Sequence, residues 1–202
     1  HNDHNYFEIA HSIKRLNDIC RGRRLYTFVD NHDVARIASK LQNKAHLPLV
    51  TILLYTVYGI PSVYYGSEFG IEGQKEQGSD WNLRPALSLA DYADAYENNE
   101  ITKLCRKLGQ LKKEYAELTN GTYQELILTN RQFAFGRILD GKECISALNC
   151  DDAQASFEIP LCCQNATAKE LLDQEAVLYE VTDRQTLKVT LPANTGTVFY
   201  VE

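Results

Sequence analysis

Leu25-Tyr26-Thr27-Phe28-Val29 runs without a break into Asp30-Asn31-His32-Asp33. The first five residues are β-prone and largely apolar, as in a buried parallel strand. The next four put two carboxylates, an amide and an imidazole at that strand's C-terminal end. In parallel α/β architectures this is the end where active sites are built. A carboxylate beside a histidine can grip sugar hydroxyls, hold a metal or move protons. The same residues also suit an inert polar strand end, and the stretch alone does not separate the two.

Outward from this strand the chain alternates helix and strand. His1 to about Arg21 reads as a helix, with Phe7, Ala10, Ile13, Leu16 and Ile19 at helical spacing before Gly22 breaks it. Val34–Leu41 reads as a short helix, and His46–Tyr58 as an apolar one stopped by Gly59 and Pro61. Ser62–Tyr65 reads as a second strand. A polar loop extends from Gly66 to about Tyr92, and structureless loops of that length usually carry function. Glu100–Leu118 reads as an amphipathic helix, with Ile101, Leu104, Leu108, Leu111 and Tyr115 on one face. At Asn120-Gly121 the period becomes two. Short strand candidates then follow, from Tyr123–Leu128 to Thr197–Val201 and including Ala176–Val181. Asp140-Gly141 and Asp151-Asp152 punctuate them, as in an antiparallel sandwich. The expected division is 1–118 and 119–202.

Composition narrows the function classes. Of 202 residues, 44% are apolar and 24% charged, ordinary for a globular protein. A net charge of −6 and no basic stripe argue against nucleic acid as a partner. No apolar run reaches the roughly 20 residues of a membrane helix, so no membrane partner is expected. Six cysteines form no CxxC pair, and no histidine follows at zinc-finger spacing. They read as free thiols of a reducing compartment rather than disulfides. The sequons at Asn120 and Asn165 read as chance matches. There is no methionine, the chain starts at His1, and no signal-peptide pattern is present. The chain therefore reads as a portion of a longer polypeptide, with the upstream part as an expected partner.

Two segments together carry a resemblance. Phe28-Val29-Asp30-Asn31-His32-Asp33 resembles the last short conserved region of the α-amylase superfamily, the retaining α-glucan hydrolases and transferases. Gly59-Ile60-Pro61-Ser62-Val63-Tyr64-Tyr65-Gly66-Ser67-Glu68 resembles that family's eighth-strand motif. Their order and spacing fit, and an amphipathic helix and an all-β tail follow. The resemblance thus covers essentially the whole chain. It implies an α/β fold: the last part of a (β/α)8 TIM barrel, from the helix after strand six onward, then an all-β antiparallel sandwich.

The resemblance also implies roles. Asp33 matches the third catalytic carboxylate, which bonds hydroxyls of the sugar in subsite −1 and favours its transition-state ring. His32 matches the histidine that grips the same sugar. Asp30 is expected to buttress the strand end, Arg36 to brace the loop, and Glu68 to hold the long loop as a structural carboxylate. Asp80 and Arg84 resemble a family pair that binds a glucose further along the non-reducing side. The bland alternative is a surface ion pair worth under about 1 kcal/mol. Tyr65 is expected to pack at the barrel top, whereas Trp81, in a polar loop, suits stacking on a sugar face.

A retaining glycosidase needs a nucleophile and an acid/base, two carboxylates about 5–5.5 Å apart. The family takes both from strands four and five, and no motif here matches either. The chain alone is therefore expected to be inactive. No metal site and no cofactor are assigned to these residues; calcium, frequent in the family, is left to the longer enzyme. The implied substrate is an α-glucan, a maltooligosaccharide or cyclodextrin cut at α-1,4 bonds. The implied kind is a cytoplasmic cyclomaltodextrinase or neopullulanase. The rivals are a carbohydrate-binding or structural module and a glucanotransferase. Starch-binding modules usually show paired exposed tryptophans, and Asn120–Glu202 contains none.

Overall fold

Parallel pairing organises the first part of the chain. The computed structural model describes residues 5–20, 23–163, 167–173, 178–179 and 181–202. Strand β1 (Tyr26–Thr27) lies parallel to β2 (Ile60–Pro61), with Tyr26 opposite Ile60. Both strands are shorter than expected, and the second begins at Ile60 rather than Ser62. The ladder is fixed by Ile60 N–H donating to Leu25 O and Ser62 N–H to Thr27 O, each 2.7 Å. Ser62–Tyr65 continues past it outside any strand. Gly59 makes this approach feasible: its φ is +128°, and a Cβ there would lie 2.7 Å from Leu25 O.

The crossover between the strands holds α2 (Ile37–Lys40) and α3 (Leu47–Thr56). A helix before β1, α1 (Phe7–Ile19), is shorter than expected, and residues 1–4, 21 and 22 lie outside the described residues. Its core-facing side is Ala10 and Ile13, with Tyr6 just ahead of the helix, while Phe7, Leu16 and Ile19 stay exposed.

After the long loop come α4 (Ala95–Asn98), α5 (Glu100–Glu114) and α6 (Ala116–Asn120). The Asn99 side chain caps α5 by accepting from Thr102 N–H at 2.9 Å. The single helix expected to Leu118 breaks at Tyr115, which is extended (φ −102°, ψ 106°) and packs its ring on Tyr200 at 4.7 Å. Side chains serve the backbone groups at the break. Thr119 donates to Lys112 O (2.9 Å), and the Lys112 ammonium donates to Leu118 O and Tyr55 O (3.0 Å each).

The second part is antiparallel throughout. Strands β3 (Thr122–Leu128), β4 (Gln132–Leu139), β5 (Lys142–Asn149), β6 (Ala155–Pro160), β7 (Ala168–Glu170), β8 (Leu178–Tyr179), β9 (Thr186–Leu191) and β10 (Thr195–Val201) follow in turn. Six form one sheet in the order β3-β4-β5-β10-β7-β8, and β6 pairs with β9. Of the candidate Ala176–Val181, residues 176, 177 and 180 lie outside the described residues, as does Asn165. Asp140 (φ 50°) and Gly141 (φ 78°) make the tight β4–β5 turn.

The large sheet is buried on both faces. Phe133, Phe135, Leu148 and Val198 pack against Leu49, Ile52, Leu108 and Leu111 of the helices. Ala134, Ile145, Ala147 and Phe199 pack against Ile159, Leu187 and Val189 of the β6–β9 pair. The helices, the sheet and the β pair therefore stack as three layers.

Cys105 of α5 sits at the α3–α5 contact. Burial, partly offset by a hydrogen bond with Tyr55 and helped by the negative charge of Glu68, pushes its thiol from the ordinary 9.0 up to about 11. A raised folded-state pKa contributes stability that is complete below pH 9 and is lost as pH rises towards 11, because only the unfolded chain ionises there. Comparing unfolding free energies of the native chain and Cys105→Ala from pH 8 to 11 should show a steeper alkaline fall in the native chain. The expected difference is about 2 kcal/mol by pH 11. Equal slopes would place the thiol in water.

Candidate active site

Two carboxylates leave the end of β1 in opposite directions. Asp30 turns inward and is 2% exposed. Its Oδ2 accepts from Ile37 N–H (2.9 Å) and from the Ser67 hydroxyl (2.9 Å). The Ser67 oxygen in turn accepts from Arg36 Nη1 at 3.2 Å. Arg36 is fully buried. It also donates to Tyr65 O (2.9 Å) and Leu83 O (3.0 Å), and its guanidinium lies 4.7 Å from the centre of the Tyr64 ring. The Asp30–Ser67–Arg36 relay thus ties together the turn after β1, the segment after β2 and the long loop. Ser67 lies in the quoted Gly59–Glu68 segment but nothing there marks it as a partner of Asp30, and Leu83, a loop leucine, carries no sequence signal for this part.

Asp33 turns outward. Asn31 Oδ1 accepts from Asp33 N–H at 2.8 Å, closing an Asx turn that aims the carboxylate away from the core. Glu68 differs from expectation. Its backbone carbonyl accepts from the Thr102 hydroxyl at 2.8 Å, while its buried carboxylate oxygen Oε2 has no hydrogen-bond partner. The anchor of the loop is therefore its main chain.

The loop returns to the β1 end through a narrow neck. Gly73 N–H donates to Ser39 Oγ (2.8 Å), Gly73 O accepts from Arg36 N–H (2.9 Å), and a Cβ on Gly73 would collide with the Asn82 carbonyl. Beyond it, Asp80 enters a 3-10 turn, Trp81–Leu83, with Leu83 completely buried. Arg84 follows and is the hub of the site. Its Nη2 lies 3.2 Å from Asp80 Oδ2, 3.7 Å from Asp33 Oδ1 and 3.5 Å from His32 O. His32 Nε2 lies 3.3 Å from Asp33 Oδ2. All four residues singled out as candidates thus meet in one cluster.

The cluster is open to solvent, its side chains 36–61% exposed. A hydrogen bond from Lys75 chiefly, with the charges of Lys75, Arg84 and His32, holds the Asp80 carboxyl below the usual range. Two carboxylates, an imidazole and a guanidinium on one exposed face supply both acceptors and donors to hydroxyl groups. Tyr65 donates its hydroxyl to Pro85 O (3.0 Å) and packs edge-on to Tyr64, whereas Trp81 stands 83% exposed. Among the described residues no three His, Cys, Asp or Glu side chains converge to hold a metal.

The profile described as "Alpha amylase, catalytic domain" matches residues 3–121. A cyclomaltodextrinase of Thermoanaerobacter pseudethanolicus is 29% identical over 133 residues, 65% of this chain and 22% of that protein. The chain thus spans about a fifth of the length of such relatives. An Anoxybacillus alpha-amylase superposes with a TM-score of 0.78 at 22% identity, over 98% of this chain and 43% of that one. A cyclomaltodextrin glucanotransferase of three-domain organisation superposes with a TM-score of 0.83 at 22% identity, over 97% and 40%. These likenesses show the fold: the last part of a TIM barrel followed by an antiparallel β-sandwich.

Proposed function

The chain belongs to the alpha-amylase family, and from that premise we propose that it forms the C-terminal part of a retaining glycoside hydrolase cutting α-1,4-glucosidic bonds in maltooligosaccharides or cyclodextrins. The observation that carries the reading is the meeting of His32, Asp33, Asp80 and Arg84 around one guanidinium on an exposed face. Asp33 is the transition-state carboxylate, and His32 grips the same sugar. Asp80 and Arg84 bind a glucose further along the chain. The nucleophile and acid/base come from the upstream polypeptide. Exposed Phe7, Leu16 and Ile19 on α1, and Tyr26, Phe28 and Ile60 at β1 and β2, support packing against that part. Residues 1–118 complete the barrel, and 119–202 cap it as the sandwich. The six free cysteines support a cytoplasmic enzyme.

Incubating the full-length enzyme with maltohexaose, a cyclodextrin and cellohexaose tests the reading by proton NMR. The expected result is cleavage of the α-glucans alone, with newly formed reducing ends appearing first as the α-anomer. Inverted product or no α-glucan turnover would refute it. The similarity to glucanotransferases keeps transfer as a second reading, and disproportionation of maltotriose without net reducing ends would select it.

A further inference from the structure

We propose that Trp81 is a sugar-stacking platform, adding a position for one glucose ring of an α-glucan beside Asp80 and Arg84; this rests on the α-glucan reading above. The indole is the chain's only tryptophan, and it is 83% exposed. Its open face is available to an apolar surface of a ligand.

Its mount is fixed rather than loose. Trp81 N–H donates to Ser79 Oγ (3.2 Å), and Trp81 O accepts from Arg84 N–H (3.2 Å). Before it, Asp80 is gripped by Lys75 on one oxygen and Arg84 on the other. After it, Asn82 donates to Glu76, and Leu83 is completely buried with its carbonyl held by Arg36. Holding the backbone beneath the ring in place beforehand lowers part of the ordering cost of binding.

The neighbours define the occupant. A pyranose offers an apolar C–H face and a rim of hydroxyls. The indole suits the first, and the adjacent carboxylate and guanidinium suit the second. A protein partner would be met by a broader apolar patch. Here the aromatic ring is flanked by Asp80 and by exposed Asn82 and Arg84.

The test is a comparison of chain lengths in the full-length enzyme. Trp81→Ala should raise KM for maltoheptaose roughly tenfold, with kcat within twofold and maltotriose kinetics unchanged. Trp81→Tyr should restore most of the loss, and circular dichroism should show both variants folded. Equal effects on short and long substrates, or none on either, would overturn the proposal. So would an unchanged profile with a shift in oligomeric state by light scattering, which would assign the ring to a protein contact. A wild-type enzyme inactive on every α-glucan would defeat the functional reading itself. Normal wild-type turnover with an unchanged Trp81→Ala profile would defeat only the platform.

Discussion

An Asp33→Asn full-length enzyme is expected to lose kcat on maltooligosaccharides by a factor on the order of 10^3, about 4 kcal/mol of transition-state stabilisation. KM should stay within a few-fold. The Asp33 side chain is 61% exposed, and its partners His32 and Arg84 are about half exposed. Surface pairs of this kind contribute under about 1 kcal/mol to folding. The amide is isosteric, and the Asx turn uses Asp33's main-chain N–H, which the substitution keeps. Stability should therefore hold. What is lost is an ionised acceptor for sugar hydroxyls, whose bonds strengthen as the ring distorts. Near-normal kcat with intact folding would remove Asp33 from the mechanism.

Arg36→Met is expected to do the reverse. It should cost about 3–5 kcal/mol of stability. The guanidinium is fully buried and serves Tyr65 O, Leu83 O and the Ser67 hydroxyl bonded to Asp30. Removing it leaves the Tyr65 and Leu83 carbonyls without these donors and takes away the cation that Ser67 links to the buried Asp30. Arg36→Lys should recover only part, because an ammonium cannot match the planar fork or lie flat on the Tyr64 ring. Adding Asp30→Asn to Arg36→Met should regain some of the loss, since the stranded charge goes with it. Urea unfolding measures each step, and a loss under about 1 kcal/mol would contradict the relay.

These opposite outcomes mark how far the sequence is readable. Asp30 and Asp33 are three residues apart on one strand end, and composition alone treats them alike. The resemblance distinguishes them, and the physical cause lies in contacts distant in sequence: Ser67 and Arg36 for one, Arg84 for the other. The helices and most strands of the second part are legible because each has a clear period. In the first part β1 falls inside the β-prone run Leu25–Val29, whereas β2 (Ile60–Pro61) precedes the expected Ser62–Tyr65, because its place is set by backbone pairing with β1 rather than by a side-chain pattern. Alternation is muted in β4 and β5, where residues such as Phe133, Ala134 and Phe135 are buried on both faces. The break at Tyr115 escapes periodicity because hydroxyl and ammonium groups, not a proline or glycine, satisfy the freed carbonyls.

The most direct measurement is a crystal structure of the full-length enzyme with a bound maltooligosaccharide. One glucose is expected with hydroxyls within about 3.2 Å of the Asp33 carboxylate and the His32 ring, and another against Asp80 and Arg84. An oligosaccharide seated elsewhere, with the four-residue cluster still facing bulk water, would contradict it.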